Sequence, residues 1–135
     1  MPDWLINIKE MTEEHQLWSW GDGNYERYRR EVSRALGSTK ENHHPIDVEL
    51  TRLPPGAKPC PIHQHAYWWE FFIIVSGHAA IHRNGEMFEA RTGDCFVQQP
   101  GTLHRIHNAS ETEDLLYYVI VNEVDVKDSG FPSEI

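Results

Sequence analysis

Two histidines one residue apart, followed by a glutamate in an apolar run, are the features of this chain that most favour metal chemistry. Residues two apart on a β-strand point to the same face, so the rings of His63 and His65 could reach one ion. Glu70 heads the apolar run EFFIIV. Because burial of a bare carboxylate is costly unless a cation or hydrogen-bond donors compensate it, we expect a positive group beside Glu70.

The spacing of these residues requires a break in the strand. Glu70 lies seven residues after His63 and five after His65, and odd separations would place it on the opposite face of an unbroken strand. We therefore expect residues 66–69 (AYWW) to form a turn or bulge, so that Glu70 starts a neighbouring strand. His104, which follows the turn signal PGT, would come from a third strand. From spacing alone, a hydrogen-bonded polar cluster remains as good an interpretation as a metal site.

Short runs typical of β-strands follow one another from residue 46 onward. In PIDVELTRLPPG, apolar and polar residues alternate before a Pro-Pro-Gly turn. Further runs, each bounded by Gly, Pro, Asn or Ser, follow at close intervals, and RNGE at 83–86 carries an Asn-Gly hairpin signal. Many short strands with such turns predict an all-β sandwich or barrel, which we assign to residues 46–124.

The segments on either side of the barrel are assigned as an N-terminal extension and a C-terminal tail. Residues 1–45 are polar and mixed, and we expect them to pack on the barrel. Within them, apolar residues of the segment 25–36 lie near helical spacing and are followed by Gly37, so the local pattern favours a helix. The tail comprises residues 125–135.

Length, charge and cysteine content limit the classes of function. A chain of 135 residues fits a single domain that needs no disulfide or metal to bury its core. Its formal net charge of −9 repels phosphate backbones and anionic lipids, so we expect neither a nucleic-acid nor a membrane partner. No signal-peptide pattern opens the chain, no apolar run reaches a membrane span, and two cysteines are too few for a disulfide scaffold. We expect a cytoplasmic protein.

The run FFIIV, residues 71–75, is apolar on both faces. One face can fill a barrel interior, whereas the other must be covered by a second sheet, by the N-terminal segment or by another subunit. We therefore expect a homodimer.

The central half of the chain resembles the two motifs of the cupin superfamily, a group of small jelly-roll β-barrels. The first motif comprises Gly56, His63, His65, Glu70 and Gly77, and the second comprises Gly93, Asp94, Pro100, Gly101, His104 and Asn108. Six residues rather than five precede His63, and Pro100 directly abuts Gly101, but both departures fall in turns. The chain also resembles an uncharacterised bacterial subgroup of single-domain cupins, sometimes labelled sugar-phosphate-isomerase-like, whose segment around 28–36 tends to be extended.

This resemblance implies a single-domain jelly-roll barrel with a metal site formed by His63, His65, Glu70 and His104. Three imidazoles and one carboxylate would leave two positions of an octahedral shell open for water or substrate. The set suits Fe, Mn, Ni, Zn or Cu and does not choose among them. Candidates to hydrogen-bond the histidine rings are Gln64, Gln98, Gln99 and Asn108.

The expected function is that of a metal-dependent dioxygenase, isomerase or lyase acting on a small organic acid, sugar derivative or phenolic compound. Phe72 and Ile106 share strand parity with Glu70 and His104, so we expect both, together with Gln98, to line the pocket of a small-molecule ligand. Tyr67 is a candidate proton donor or acceptor, or else a rim tyrosine. Two alternatives remain open: a non-catalytic binding or sensing module, and a metal-free sugar isomerase or epimerase.

Overall fold

The computed structural model describes residues 2–122 and 129–130, whose strands pair antiparallel in three sheets. The strands are β1 (Glu14–Trp20), β2 (Gly23–Glu31), β3 (Ile46–Leu53), β4 (Gln64–His65), β5 (Glu70–Ser76), β6 (His78–Arg83), β7 (Glu86–Arg91), β8 (Cys95–Gln98), β9 (His104–Asn108), β10 (Leu115–Asn122) and β11 (Ser129–Gly130). A 3₁₀ helix, Ile8–Glu10, precedes β1, and one α-helical turn, α1 (Val32–Ala35), follows β2. The predicted all-β jelly-roll barrel is confirmed.

A large and a small sheet enclose the core. The large sheet has the order β1-β2-β3-β10-β5-β8, the small sheet has the order β7-β6-β9, and β4 pairs with β11. Alternate residues of β10 are buried, as expected for a strand with one face on a core. The core cluster includes Leu53, Phe72, Ile74, Ile106, Leu115 and Tyr117. Burial of this apolar surface is the main force that holds the two sheets together.

The Asn-Gly hairpin is present as predicted between β6 and β7. Asn84 (φ 48°) and Gly85 (φ 84°) both adopt the left-handed conformation that a two-residue turn of this kind needs. The flanking strands pair in register from Arg83–Glu86 outward. The turn therefore sets which residues of the small sheet face the core.

The expected helix over residues 25–36 is wrong for most of its length. Residues 23–31 form β2, which pairs with β1 on one side and with β3 on the other, and only Val32–Ala35 is helical. The two flanking strands supply backbone hydrogen bonds to β2, and Tyr25 is buried there. This stabilisation outweighs the weak local helix propensity of the segment. The extended conformation implied by the subgroup resemblance is found here.

The N-terminal segment therefore adds two strands to the large sheet. The division into an extension (1–45), a barrel (46–124) and a tail (125–135) stays a prediction. Residues 123–128 and 131–135 lie outside the described part of the chain. Within that part, no helix is long and apolar enough to cross a membrane.

Candidate metal centre

The structure brings together the four residues singled out by their spacing. The ligand atoms of His63, His65, Glu70 and His104 all lie within 4.8 Å of one another. Oε1 of Glu70 is 2.7 Å from Nε2 of His104 and 2.9 Å from Nε2 of His65. His65 and His104 are buried.

Three separate strand ends position these side chains. His65 closes β4, the chain bends at residues 66 and 67, and Glu70 opens β5, so the bend returns the carboxylate to the histidines. His104 opens β9. An isolated bridge joins His63 to His104, with backbone N···O distances of 3.1 and 2.8 Å, and holds the two motifs side by side.

Backbone carbonyls orient two of the three histidine rings. Nδ1 of His63 lies 2.9 Å from the carbonyl oxygen of Pro61, and Nδ1 of His104 lies 2.8 Å from that of Thr102. A carbonyl can only accept, so each Nδ1 carries the proton and donates it. In both rings Nε2 is thereby directed to the cluster, as metal ligation needs.

Asn108, one of the side-chain amides expected to fix the tautomers, makes other contacts. Nδ2 of Asn108 lies within 3.0 Å of the carbonyl oxygens of Leu53, Pro54 and Glu113, and so ties β9 to two turns. Backbone carbonyls next to the histidines are nearer acceptors than any amide, a detail that motif spacing does not encode. The expectation for Asn108 is therefore wrong.

Both ring nitrogens of His104 face hydrogen-bond acceptors. This arrangement bears on whether a cation fits the cluster. Nδ1 meets the Thr102 carbonyl and Nε2 meets the Glu70 carboxylate, so the ring must carry two protons unless a metal ion lies between Nε2 and Oε1. Ligand atoms bound about 2.1 Å from one ion lie up to about 4.2 Å apart. Small rotations of the four side chains would reach that arrangement, so the residues fit a divalent transition metal.

The protonation states also suit metal binding. Burial, together with the neighbouring His104 ring, lowers the pKa of His63 to about 4, so this imidazole is neutral and can ligate at neutral pH. Burial of the Glu70 carboxylate would raise its pKa, but hydrogen bonds from His104 and His65 outweigh burial and lower it. An ionised carboxylate and neutral imidazoles are the forms that bind a metal.

The cluster opens onto a cavity of about 380 Å³ between the two sheets, large enough for a small organic molecule. Phe72 and Ile106 line it, at the places that strand parity gave them. Gln98 does not: it is 2% exposed, lies opposite Glu70 in register, and its Oε1 accepts from Arg83 at 3.1 Å. Tyr67 is 55% exposed and is not among the lining residues, so its position is that of a rim tyrosine.

Other lining residues were not singled out by the sequence. Trp68 stacks on His65, with ring centroids 5.0 Å apart. Tyr117 is buried in the wall, and burial raises its pKa above the ordinary value. The alternation in LLYYVIVN places Tyr117 on the same side of the strand as Val119, and this alternation could have identified Tyr117 as a lining residue.

One wall of the cavity is charged, which sequence reasoning missed. It is formed by Arg27, Arg29, Glu31, Asp47 and Glu49, from β2 and β3. The alternation in IDVEL had separated two faces of β3, and the acidic face is the inward one. Glu49 pairs with Arg29 at 2.9 Å, and burial raises the pKa of Glu49 to about 7.

Comparison with known proteins agrees with this architecture. The family model described as the cupin domain matches residues 49–121. An oxalate-binding protein from Thermotoga maritima is 30% identical over 70 residues, which cover 52% of this chain and 56% of that protein. The chain thus spans about half the length of this curated relative.

Solved structures share the fold over most of the chain. A candidate sugar phosphate isomerase from Acidithiobacillus ferrooxidans superposes with a TM-score of 0.79 at 22% identity, covering 97% of this chain and 82% of that one. A predicted oxalate decarboxylase from Thermotoga maritima superposes with a TM-score of 0.72 at 24% identity, covering 89% and 99%. At these identities the likeness shows the fold alone.

Proposed function

This chain belongs to the cupin domain family, and on that basis we propose that it is a metal-dependent enzyme of the dioxygenase, isomerase or lyase class. Its substrate would be a small organic acid, sugar derivative or phenolic compound. The observation that carries the proposal is the His63, His65, Glu70 and His104 cluster, placed at the wall of a cavity of ligand size. When bound there, Fe, Mn, Ni, Zn or Cu would supply Lewis-acid activation of a substrate oxygen or of water.

The chain's own residues would bind the substrate and keep water away from it. Phe72, Ile106 and Val119 give the cavity an apolar floor, which favours rings and carbon chains over water. The Trp68 ring packs on His65 and restricts the orientation of that imidazole. Such restriction keeps the ligand set in place without a cost at each turnover.

Glu49 is the lining residue best suited to move a proton. Glu49 is 7% exposed and lines the cavity beside Arg29. Because burial raises its pKa to about 7, both protonation states are populated near neutral pH. Glu49 replaces Tyr67 as the candidate acid or base.

A non-catalytic binding protein is a second candidate. One relative of this chain is an oxalate-binding protein, and a metal site with an apolar pocket suits ligand capture as well as turnover. A third candidate is a metal-free isomerase or epimerase, for which the hydrogen-bonded pair of His104 and Glu70 at the cavity would supply a proton donor and a proton acceptor.

Elemental analysis and a substrate screen separate the three. We expect about one equivalent of a transition metal per chain, with turnover of at least one diketone, catechol, hydroxy acid or amino-thiol. Tight binding without turnover of any of them would favour the binding protein. Metal content below about a tenth of an equivalent, with isomerisation of a sugar phosphate, would favour the metal-free isomerase.

We further propose that the protein is a cytoplasmic homodimer with a small-molecule ligand and no nucleic-acid partner. Cys60 and Cys95 are free thiols, which suits a reducing compartment. The outward side of β5 leaves Phe71 42% exposed beside its cross-strand neighbours Ile120 and Val97. A second copy of the chain laid on this sheet would cover the patch.

A further inference from the structure

Two arginines from opposite sheets reach the cavity of the metal centre. Arg27 lies on the inward face of β2, within the N-terminal segment, and Arg105 lies on β9, next to His104. Both are half-buried. The metal ligands do not account for the presence of two arginines in this cavity.

Two of the carboxylates on this wall already pair with other arginines. Glu49 lies 2.9 Å from Arg29, and Glu31 lies 2.5 Å from Arg34. Burial raises the pKa of Asp47, and the positive charges of Arg29 and Arg34 act against that rise. Glu49 and Glu31 thus have ion-pair partners in two other arginines, Arg29 and Arg34.

Neither Arg27 nor Arg105 forms an ion pair with a carboxylate of the described residues, although the charge of Arg27 acts on Glu49 at longer range. Arg27 donates from Nε to Oε1 of Gln16 at 2.5 Å, a neutral acceptor. The Nε atom of Arg105 is buried, and no described residue accepts a hydrogen bond from it. Partial burial of a guanidinium group without an anion is unfavourable, so both side chains are suited to bind one. Arginine is also the side chain whose planar fork best matches carboxylates and phosphates.

Both arginines line the same cavity as the metal centre. Arg27 and Arg105 are lining residues together with His63, His65, Glu70 and His104. A ligand held at the four-residue cluster would therefore share this cavity with both guanidinium groups.

We propose that Arg27 and Arg105 bind a second anionic group of the substrate, so that the chain prefers small dianions, either dicarboxylates or phosphorylated organic acids. One anionic end would face the His63, His65, Glu70 and His104 cluster, and the other would lie between the two arginines. The inference rests on the proposed function for the anionic end at the metal centre, but not for the end that lies between the arginines. It gives the N-terminal strand β2 a part in substrate choice.

Calorimetric titration with four probes tests this: succinate, butyrate, inorganic phosphate and a phosphorylated acid of about the length of succinate. Succinate and butyrate have the same number of carbons and differ in the second carboxylate. Metal-loaded protein should bind succinate at least about ten-fold tighter than butyrate, the size expected for one charge-assisted contact. Metal-free protein should still bind phosphate through the arginines. Comparison of succinate with a phosphorylated acid of similar length then decides which dianion is preferred.

Two variants and a matched control locate the effect. Arg27→Gln, which can keep a contact with Gln16, and Arg105→Gln should each abolish the preference for succinate while butyrate affinity and metal content stay unchanged. Arg30→Gln is the control, because Arg30 lies on the same strand but faces away from the cavity and donates to the Met11 carbonyl. Arg27→Lys should restore part of the preference, and thermal melting of each variant checks the fold.

The outcomes separate this inference from the proposed function. Equal binding of succinate and butyrate by metal-loaded wild type, or an unchanged preference in both glutamine variants, would overturn the arginine site while the metal centre stands. Absence of bound metal together with arginine-dependent phosphate binding would leave the arginine site standing and remove the metal-dependent enzyme.

Discussion

Nε2 of His104 lies 2.7 Å from Oε1 of Glu70, although 34 residues separate them and each opens its own strand. The contact joins β9 of the small sheet to β5 of the large one, so the candidate metal centre is also a joint between the sheets. A cation bound at this point would replace a proton and hold the same two strands together.

Removing a ligand should reduce metal retention. Glu70→Gln and His104→Gln should each lower the metal bound after dialysis by at least about ten-fold, since each removes one of four ligands. Mass spectrometry of the purified proteins measures this. His107→Gln is the control, because His107 lies on β9 but contacts His82 (Nδ1 to Nε2, 3.1 Å) outside the cavity lining. Loss of metal in the control, or retention in both ligand variants, would contradict the assignment.

Gly77, between β5 and β6, should not tolerate a side chain. Its φ is +103°, and an added Cβ would lie 2.6 Å from the Asp114 carbonyl oxygen and 3.1 Å from Cα of Leu115. Gly77→Ala should cost at least about 2 kcal/mol in the free energy of unfolding, because backbone must move. Gly85→Ala is the matched control: its φ is +84° but nothing lies within 4 Å, so only about 1 kcal/mol of backbone strain is expected. Equal losses in urea unfolding would refute the steric argument.

Asn108 should be a stability residue and not a catalytic one. Its buried Nδ2 serves the carbonyl groups of Leu53, Pro54 and Glu113, and its Oδ1 accepts from the Ser110 backbone at 2.9 Å. Asn108→Ala would leave these buried groups without their hydrogen-bond partner and should cost about 3 kcal/mol or more in unfolding free energy. The exposed Asn24→Ala should cost little. A variant that unfolds like wild type but loses metal would reverse the assignment.

What could be predicted from sequence follows from how local each signal is. The hairpin turn at residues 84 and 85 needs two adjacent residues with positive φ, and Asn-Gly is the dipeptide that adopts this conformation most readily. The convergence of His63, His65 and Glu70 followed from parity and one forced bend. The strand β2 was missed because its stability comes from β1 and β3, neither of which its own residues specify.

The charged cavity wall was missed for a related reason. Parity in IDVEL separates Asp47 and Glu49 from Val48 but does not say which side faces inward, and the usual rule would send the carboxylates to water. Only the pairing of β3 with β2 shows that Arg29 compensates Glu49 inside the barrel. A buried ion pair is thus a tertiary feature, invisible until the partner strand is known.

The outer face of β5 should mediate self-association. Phe71→Lys would place a charge in the exposed patch beside Ile120 and Val97, and should convert a dimer to a monomer at micromolar concentration with unchanged thermal stability of the monomer fold. Analytical ultracentrifugation measures this. Leu17→Lys, on the edge strand β1, is the control, since Leu17 is more exposed than Phe71 but lies away from the patch. A wild-type monomer, or dissociation caused only by the control, would contradict the proposed face.

Glu49 should give the protein a pH dependence of stability that a glutamine removes. Burial raises the pKa of Glu49 from 4.5 to about 7, against the attraction of Arg29 and Arg27 and with the repulsion of Asp47 and Glu31. A group whose pKa is higher in the folded state stabilises it fully below pH 4.5, and this contribution is lost as pH rises to about 7.

A shift of this size corresponds to about 3 kcal/mol of unfolding free energy lost across that window. Urea unfolding of wild type and Glu49→Gln at several pH values measures it, and the difference between the two cancels the other titrating groups. Between pH 4.5 and pH 7, the unfolding free energy of Glu49→Gln should rise relative to that of wild type by up to about 3 kcal/mol. The exposed Glu86→Gln should show no such trend, and a constant difference between wild type and Glu49→Gln would mean that Arg29 keeps the Glu49 carboxylate ionised throughout.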